Sequence, residues 1–300
     1  MTASTPHPVA RKTIAGNATL DGRGLFSGKH ATITFKPSDR GLTFIRADVA
    51  ASIPVHSDAV TSTAVHGGHL SGPPRSTNLA RGHAYVATVE HALSALSGLG
   101  ITDCDIEIDG LEVPIFDGSA QPFVEAIQRA GIRDVEGELE PVTIEQPIKL
   151  EHMNASIVAE PREQPGWSIA YNLDYGASAS IPAQTATWDG SADAYIREIA
   201  PARTFCLEHE ATALQRAGLF EGLTPADMLV VGPDGPIDNT YRFDPEPAAH
   251  KLLDVIGDLA LAGRPIQANI VATRSGHQMN QRLASALVNR FPRHAIEPRA

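Results

Sequence analysis

The stretch His250-Lys-Leu-Leu-Asp254-Val-Ile-Gly-Asp258 decides the fold. On a helix, His250 and Asp254 stand at i and i+4 on one face, and Asp258 extends the row. Leu252, Leu253, Val255, Ile256 and Leu259 surround them. A helix apolar around most of its circumference is buried, so these polar groups lie inside the protein. A buried charge without a partner costs several kcal/mol, so the row calls for a cation or a metal. The other reading is a surface His–Asp pair worth a few tenths of a kcal/mol. The helix is expected from about 247 to 262, closed by Gly263.

Outward from that helix the chain reads as strands near 148–160 and 167–173, then a strand at 267–272 and a last helix over about 277–290. The first half follows a similar order. Ala31-Thr-Ile-Thr-Phe-Lys36 and Leu42-Thr-Phe-Ile45, joined by a turn at 38–41, read as a hairpin. Residues 66–83, rich in Gly, Pro, Ser and His, read as a loop. A helix capped by Thr88 runs to the Gly98-Leu-Gly100 stop, followed by a strand at 104–109, a turn at 114–119, and an amphipathic helix at 121–130 ended by Gly131. The acidic, proline-bounded stretch 134–147 marks a boundary between residues 1–136 and 145–300. Two similar domains of the α+β class are expected, since each half carries strands, helix, glycine stop, strand and helix.

With 300 residues, 42% hydrophobic and 20% charged, the chain can bury a core. A net charge of −11 argues against nucleic-acid binding. Cys104 and Cys206 form no CxxC pair, which excludes a disulfide scaffold or an all-cysteine zinc site and fits a reducing cytoplasm. The first residues have no apolar core to follow, so no signal peptide is expected. No unbroken apolar run reaches membrane-spanning length.

Glu90 and His91 are adjacent in the otherwise apolar helix that begins near Thr88. An imidazole beside a carboxylate is what a metal site with a general base requires. A polar patch at a helix start, with Glu90 complementing the dipole, accounts for Glu90 equally well. His277 follows a strand in Ser275-Gly276-His277, and Thr204 lies in Ala202-Arg-Thr204-Phe. Each alone is unremarkable, as is Lys251. Together His91, His250 and Asp254 supply two imidazoles and a carboxylate, the ligand number of a catalytic zinc that keeps one position open.

At these residues the sequence resembles the UDP-3-O-acyl-N-acetylglucosamine deacetylases, zinc amidases of lipid A synthesis. The resembling blocks are Gly22-Arg-Gly-Leu-Phe-Ser-Gly28, Thr88-Val-Glu-His-Ala-Leu-Ser-Ala-Leu-Ser-Gly-Leu-Gly100, Pro114-Ile-Phe-Asp-Gly-Ser-Ala120, Ala202-Arg-Thr-Phe-Cys206, His250 to Leu259, and Ser275-Gly-His-Gln-Met-Asn280. The resemblance implies two α+β domains whose helical layers face each other across a Zn2+ site. It implies His91, His250 and Asp254 as zinc ligands, Glu90 as general base, and Thr204 as oxyanion stabiliser. Lys251 falls near the reacting carbonyl, and His277 is the general acid with Asp258 as its carboxylate partner. A Glu90 carboxyl held low beside the zinc and a raised His277 are expected with it. So is a hydrophobic passage for the fatty acyl group in the stretch from Cys206 to Leu223, which holds Leu207, Leu214, Ala217, Gly218, Leu219, Phe220 and Gly222. An ordinary amphipathic helix explains Leu207, Leu214 and Ala217 as well. Phe26, Asp227 and Ala249 depart from the family's usual His, Asn and Arg. The implied reaction is hydrolysis of the N-acetyl group of an acylated UDP-N-acetylglucosamine by a cytoplasmic enzyme, with a monomer favoured. A deacetylase of another sugar nucleotide, or a non-catalytic sugar-nucleotide-binding homologue, is the alternative.

Overall fold

The computed structural model describes residues 5–66, 69–70, 75–176, 180–220, 224 and 227–290, and they form an α+β protein. The first half holds β1 (Val9–Ile14), β2 (Ala18–Arg23), β3 (His30–Lys36), β4 (Leu42–Arg46) and β5 (Ala51–Pro54). Four short strands follow: β6 (Val65–His66), β7 (His69–Leu70), β8 (Leu79–Arg81) and β9 (Ala84–Val86). Then come α1 (Glu90–Gly98), β10 (Cys104–Ile108) and α2 (Gln121–Ala130).

The second half begins with β11 (Ile132–Leu139), β12 (Val142–Thr143), β13 (Ile148–His152), β14 (Ala155–Glu160), β15 (Trp167–Leu173) and β16 (Gln184–Trp188). The short α3 (Ala192–Ala194) runs into a π-helical stretch, Tyr195–Ile199. A small sheet follows from β17 (Phe205–Leu207), β18 (Leu229–Gly232) and β19 (Gly235–Pro236), with α4 (Glu208–Arg216) between its first two strands. The chain closes with α5 (Glu246–Leu259), β20 (Ile266–Thr273) and α6 (His277–Arg290).

The two main sheets repeat one plan. Their orders are β2-β3-β10-β4-β5 and β13-β14-β20-β15-β16. In each, the last strand in the chain enters the middle, antiparallel to its second neighbour strand (β3 or β14) and parallel to its third (β4 or β15). The strip β12 pairs alongside β20. This insertion corrects the expected hairpin: β3 and β4 flank β10 and do not pair with each other. The turn between them wraps the start of β10. Gly41 N–H donates to Asp103 Oδ1 at 2.7 Å, Ser38 Oγ to Asp105 Oδ1 at 3.1 Å, and Arg40 Nη2 to Asp105 Oδ2 at 2.7 Å.

Two further expectations change. Thr88 is no N-cap: its backbone has φ of +58°, and its hydroxyl donates to Glu112 Oε1 at 3.1 Å and lies 3.3 Å from Ser76 Oγ. The helix starts after Val89 without a side-chain cap. Residues 66–83 carry β7 and β8 rather than loop alone. The acidic stretch includes β11, which pairs antiparallel with β1. Asp134, Glu136 and Glu138 are tolerated there because their side chains face solvent.

One apolar core runs through both sheets and the helices, including Ile33, Phe44, Leu93, Leu96, Leu252, Val255 and Ile270. Helices α1 and α5 pack directly on one another. Their crossing needs Gly257, because a Cβ there would stand 2.0 Å from the backbone oxygen of Glu90. A second cluster joins Leu25, Ile115, Cys206, Ala211, Leu219, Phe220 and Met228, with Phe26 and Leu214 packed on it. Ala217 is exposed and Leu207 belongs to β17, so the single apolar face expected for these residues is not formed. Gly222 and Leu223 lie outside the described residues. Among the described residues, no helix is long and apolar enough to cross a membrane.

Candidate active site

The start of α1 and the middle of α5 bring the three expected ligands together. One ligand atom from each of His91, His250 and Asp254 lies within 4.8 Å of the others, and all three residues are buried. His250 Nε2 is 3.5 Å and His91 Nε2 3.8 Å from the same Asp254 Oδ1, and neither contact is a hydrogen bond. The rings meet edge to face, 5.0 Å between centroids. Ligands bound at 2.0–2.1 Å around a tetrahedral ion stand about 3.4 Å apart, so this spacing fits a divalent ion held between them.

The donor set has the right protonation. Burial pushes His91 down to about 4 and His250 to about 3, outweighing the pull of Asp254. Both imidazoles are therefore neutral at pH 7 with a lone pair to offer. His250 Nδ1 donates to the Ala202 carbonyl at 3.1 Å, which leaves Nε2 as its acceptor atom. Among the described residues, the buried His91 Nδ1 has no hydrogen-bond partner. Burial alone would raise Asp254, but Lys251 and the histidines hold it well below the usual carboxylate range. Lys251 Nζ donates to Asp254 Oδ2 at 2.6 Å and rests over the Phe205 ring. Burial opposes its charge, yet Asp254 holds the ammonium above its ordinary value.

Beside this trio stands a carboxyl–imidazole pair, Glu90 and His277. His277 Nε2 is 3.8 Å from Glu90 Oε1 and 3.9 Å from Asp254 Oδ2. Its Nδ1 donates to Asp258 Oδ2 at 2.9 Å. Burial works against the imidazolium, but Asp258, Asp254 and Glu90 together raise His277 to about 10. Without a bound ion, the Glu90 carboxyl stands above its ordinary value. Burial pushes it up to about 8, with Asp258 and Asp254 adding to the shift and His277 opposing it. A divalent cation nearby pulls in the opposite direction.

Thr204 is held by its backbone: its N–H donates to the Gly118 carbonyl at 2.7 Å, and its carbonyl accepts from Leu229 at 2.9 Å. Its neighbour Phe205 packs edge-on to His250, but the Thr204 hydroxyl makes no hydrogen bond to a described residue. The three departures from the family pattern lie apart from the ligands' polar contacts. Phe26 faces Phe220, 6.0 Å between ring centroids. Asp227 accepts two bonds from Thr224 in a turn, and Ala249 is buried on α5. Sequence reasoning missed Asn280, which donates to Asp258 Oδ2 at 2.8 Å, and Thr77, which reaches both Glu90 and Asp258. Asn280 sits one turn after His277, which was the available signal; Thr77 gave none.

Two imidazoles and a carboxylate around one point, flanked by a second carboxylate and a cationic imidazole, are the parts of a metal-dependent hydrolase. The pattern of the family described as UDP-3-O-acyl N-acetylglycosamine deacetylase matches residues 11–289. The chain is 37% identical over 286 residues to a UDP-3-O-acyl-N-acetylglucosamine deacetylase of Anaeromyxobacter dehalogenans, covering 93% of this chain and 87% of the relative. For the deacetylase of Leptospira biflexa the identity is 35%, over 94% of this chain and 90% of the relative. For that of Thermosynechococcus vestitus it is 37%, over 95% and 97%. The chain belongs to the UDP-3-O-acyl N-acetylglycosamine deacetylase family.

Proposed function

We propose that this chain is a zinc-dependent N-deacetylase that releases acetate from a UDP-activated, 3-O-acylated N-acetylglucosamine, a step of lipid A synthesis. The observation that carries the reading is the set of three buried ligand atoms turned toward one another without hydrogen bonds, beside the Glu90–His277 pair. His91, His250 and Asp254 would hold the metal. Zinc supplies Lewis acidity and lowers the pKa of water when bound. Glu90 takes the proton from the attacking water. Thr204 and Lys251 stabilise the charge that gathers on the acetyl oxygen. His277, kept cationic by Asp258, gives a proton to the leaving amine.

The repeated sheets support two domains, residues 1–136 and 145–300, with α1 and α5 facing each other where the site forms. The cluster of Leu25, Leu219, Phe220 and Met228 supports a passage for the acyl chain near the insert that follows Thr204. Each buried methylene contributes about 0.8 kcal/mol, and binding far from the reacting bond can raise turnover. Cys104 and Cys206, buried as free thiols, are in keeping with a cytoplasmic protein.

Acetate release from acylated and bare UDP-N-acetylglucosamine, with metal content measured on the same sample, tests the reading. The expected result is bound zinc and a kcat/KM at least about 100-fold higher for the acylated substrate. Equal values would favour a general sugar-nucleotide deacetylase. No acetate from either would leave a binding protein.

A further inference from the structure

We propose that Thr77 is a positioning residue that locks the two proton-handling arms of the site to each other, an inference that rests on the acid–base roles given above. Thr77 is fully buried. Its backbone N–H donates to Glu90 Oε2 at 3.0 Å, and its carbonyl accepts from Val89 N at 3.0 Å, so it is laid along the start of α1. Its hydroxyl donates to Asp258 Oδ1 at 2.5 Å, across 181 positions of sequence. Gln281 Nε2 donates to the same hydroxyl at 2.7 Å. A hydroxyl has one proton, and with Gln281 occupying an acceptor position that proton points at Asp258.

The consequence runs through both arms. Holding Glu90 Oε2 leaves Oε1 as the oxygen that faces His277 Nε2. Holding Asp258 Oδ1 fixes the carboxylate plane, so that Oδ2 meets His277 Nδ1 and Asn280 Nδ2. The direction of His277 Nε2 is thereby set by the residue that orients the base. Removing the hydroxyl frees Asp258 to turn and leaves a buried carboxylate oxygen without its donor.

Thr77→Val keeps the shape and the N–H to Glu90 while deleting only the hydroxyl. On the zinc-loaded protein we expect kcat to fall about 10–100-fold with KM and metal content unchanged, and Thr77→Ser to recover to within about 3-fold. Gln281→Met, which spares the Thr77–Asp258 bond, should lower kcat by about 3-fold, covering the case in which Thr77→Val folds poorly. A second readout needs no substrate. The low-field proton resonance of His277 Nδ1–H, identified by its absence in His277→Ala, should move in Thr77→Val and stay in place in Thr77→Ser. An unmoved resonance with unchanged kcat overturns the proposal, as does loss of metal in step with kcat, or failure of serine to rescue. If the wild type releases no acetate, the functional reading fails, and the resonance alone decides whether Thr77 orients His277.

Discussion

Glu246 and Asp254 stand about two turns apart on α5, both out of contact with solvent, yet their surroundings differ. Glu246 accepts from Arg203 Nε at 2.7 Å and Nη2 at 3.0 Å, and from the backbone N–H of Arg203 and Arg242. The guanidinium goes on to Asn239 and the Thr240 carbonyl. Every polar partner there is supplied by the chain. Asp254 has one oxygen on Lys251, while the other faces two neutral imidazoles that offer it no hydrogen bond. The first arrangement is closed and serves the fold. The second is open at one point, and an open point among buried acceptors is where a cation belongs.

The sharpest attempt to break this contrast is His250→Ala, which should lose bound metal and at least about 1000-fold of activity. Metal analysis and acetate release on one preparation check it. Full turnover after exhaustive chelation, with no metal detected, would collapse the distinction between the two carboxylates.

Next in size is the acid–base pair. Glu90→Gln should cut kcat by about 100–1000-fold and keep the metal. Wild-type kcat/KM should be bell-shaped in pH. Glu90 must be ionised, so the rate falls on the acid side as pH drops through its pKa, which lies at or below about 8 once metal is bound. His277 must be charged in its proposed role, so the rate falls on the alkaline side through its pKa, which lies at or below about 10 once metal is bound. His277→Ala should remove that alkaline limb, and a limb that persists would assign it elsewhere.

Stability separates the two regions in the opposite sense. Arg203→Leu strands Glu246 and should cost about 3–5 kcal/mol in urea unfolding of the metal-free protein. His91→Leu removes a buried nitrogen that has no partner among the described residues, and should change stability by less than about 1 kcal/mol. Reversal of that ranking would mean the site residues hold the fold and the closed pair does not.

The smallest expected effect lies at the turn around β10. Burial alone would raise Asp103, but Arg11, Thr102 and Gly41 together hold it below the ordinary carboxylate value. Its contribution is therefore fully present above about pH 4 and is lost as pH falls through the lower native value. Asp103→Asn should flatten that acid loss while leaving metal binding untouched. An unchanged acid-unfolding curve would remove Asp103 from the account.

What could be read in advance follows the range of each interaction. The row His250, Asp254, Asp258 and the bounds of α2 come from helical periodicity and glycine stops, both local. The insertion of β10 between β3 and β4 was hidden because alternation says which face is buried and nothing about which strand lies alongside. Thr88 in a left-handed conformation defies its usual capping role because Ser76 and Glu112 claim its hydroxyl. The upward shift of Glu90 depends on how deeply α5 covers the start of α1, a tertiary quantity. Thr77 lies in a Gly- and Pro-rich stretch where no periodic signal sets it apart.

The crossing of α1 over α5 at Gly257 also orders events in time. Glu90 and His91 leave the ribosome well before His250, Asp254 and His277 exist. At about 5–20 residues per second, the interval is on the order of 10 s. During it the early pair is only one imidazole and one carboxylate, without the late ligands that complete the set. The choice of metal thus falls to the finished protein, after the last third of the chain has been made and docked. A truncated product ending before α5 would carry one of the three ligands and compete poorly for the ion.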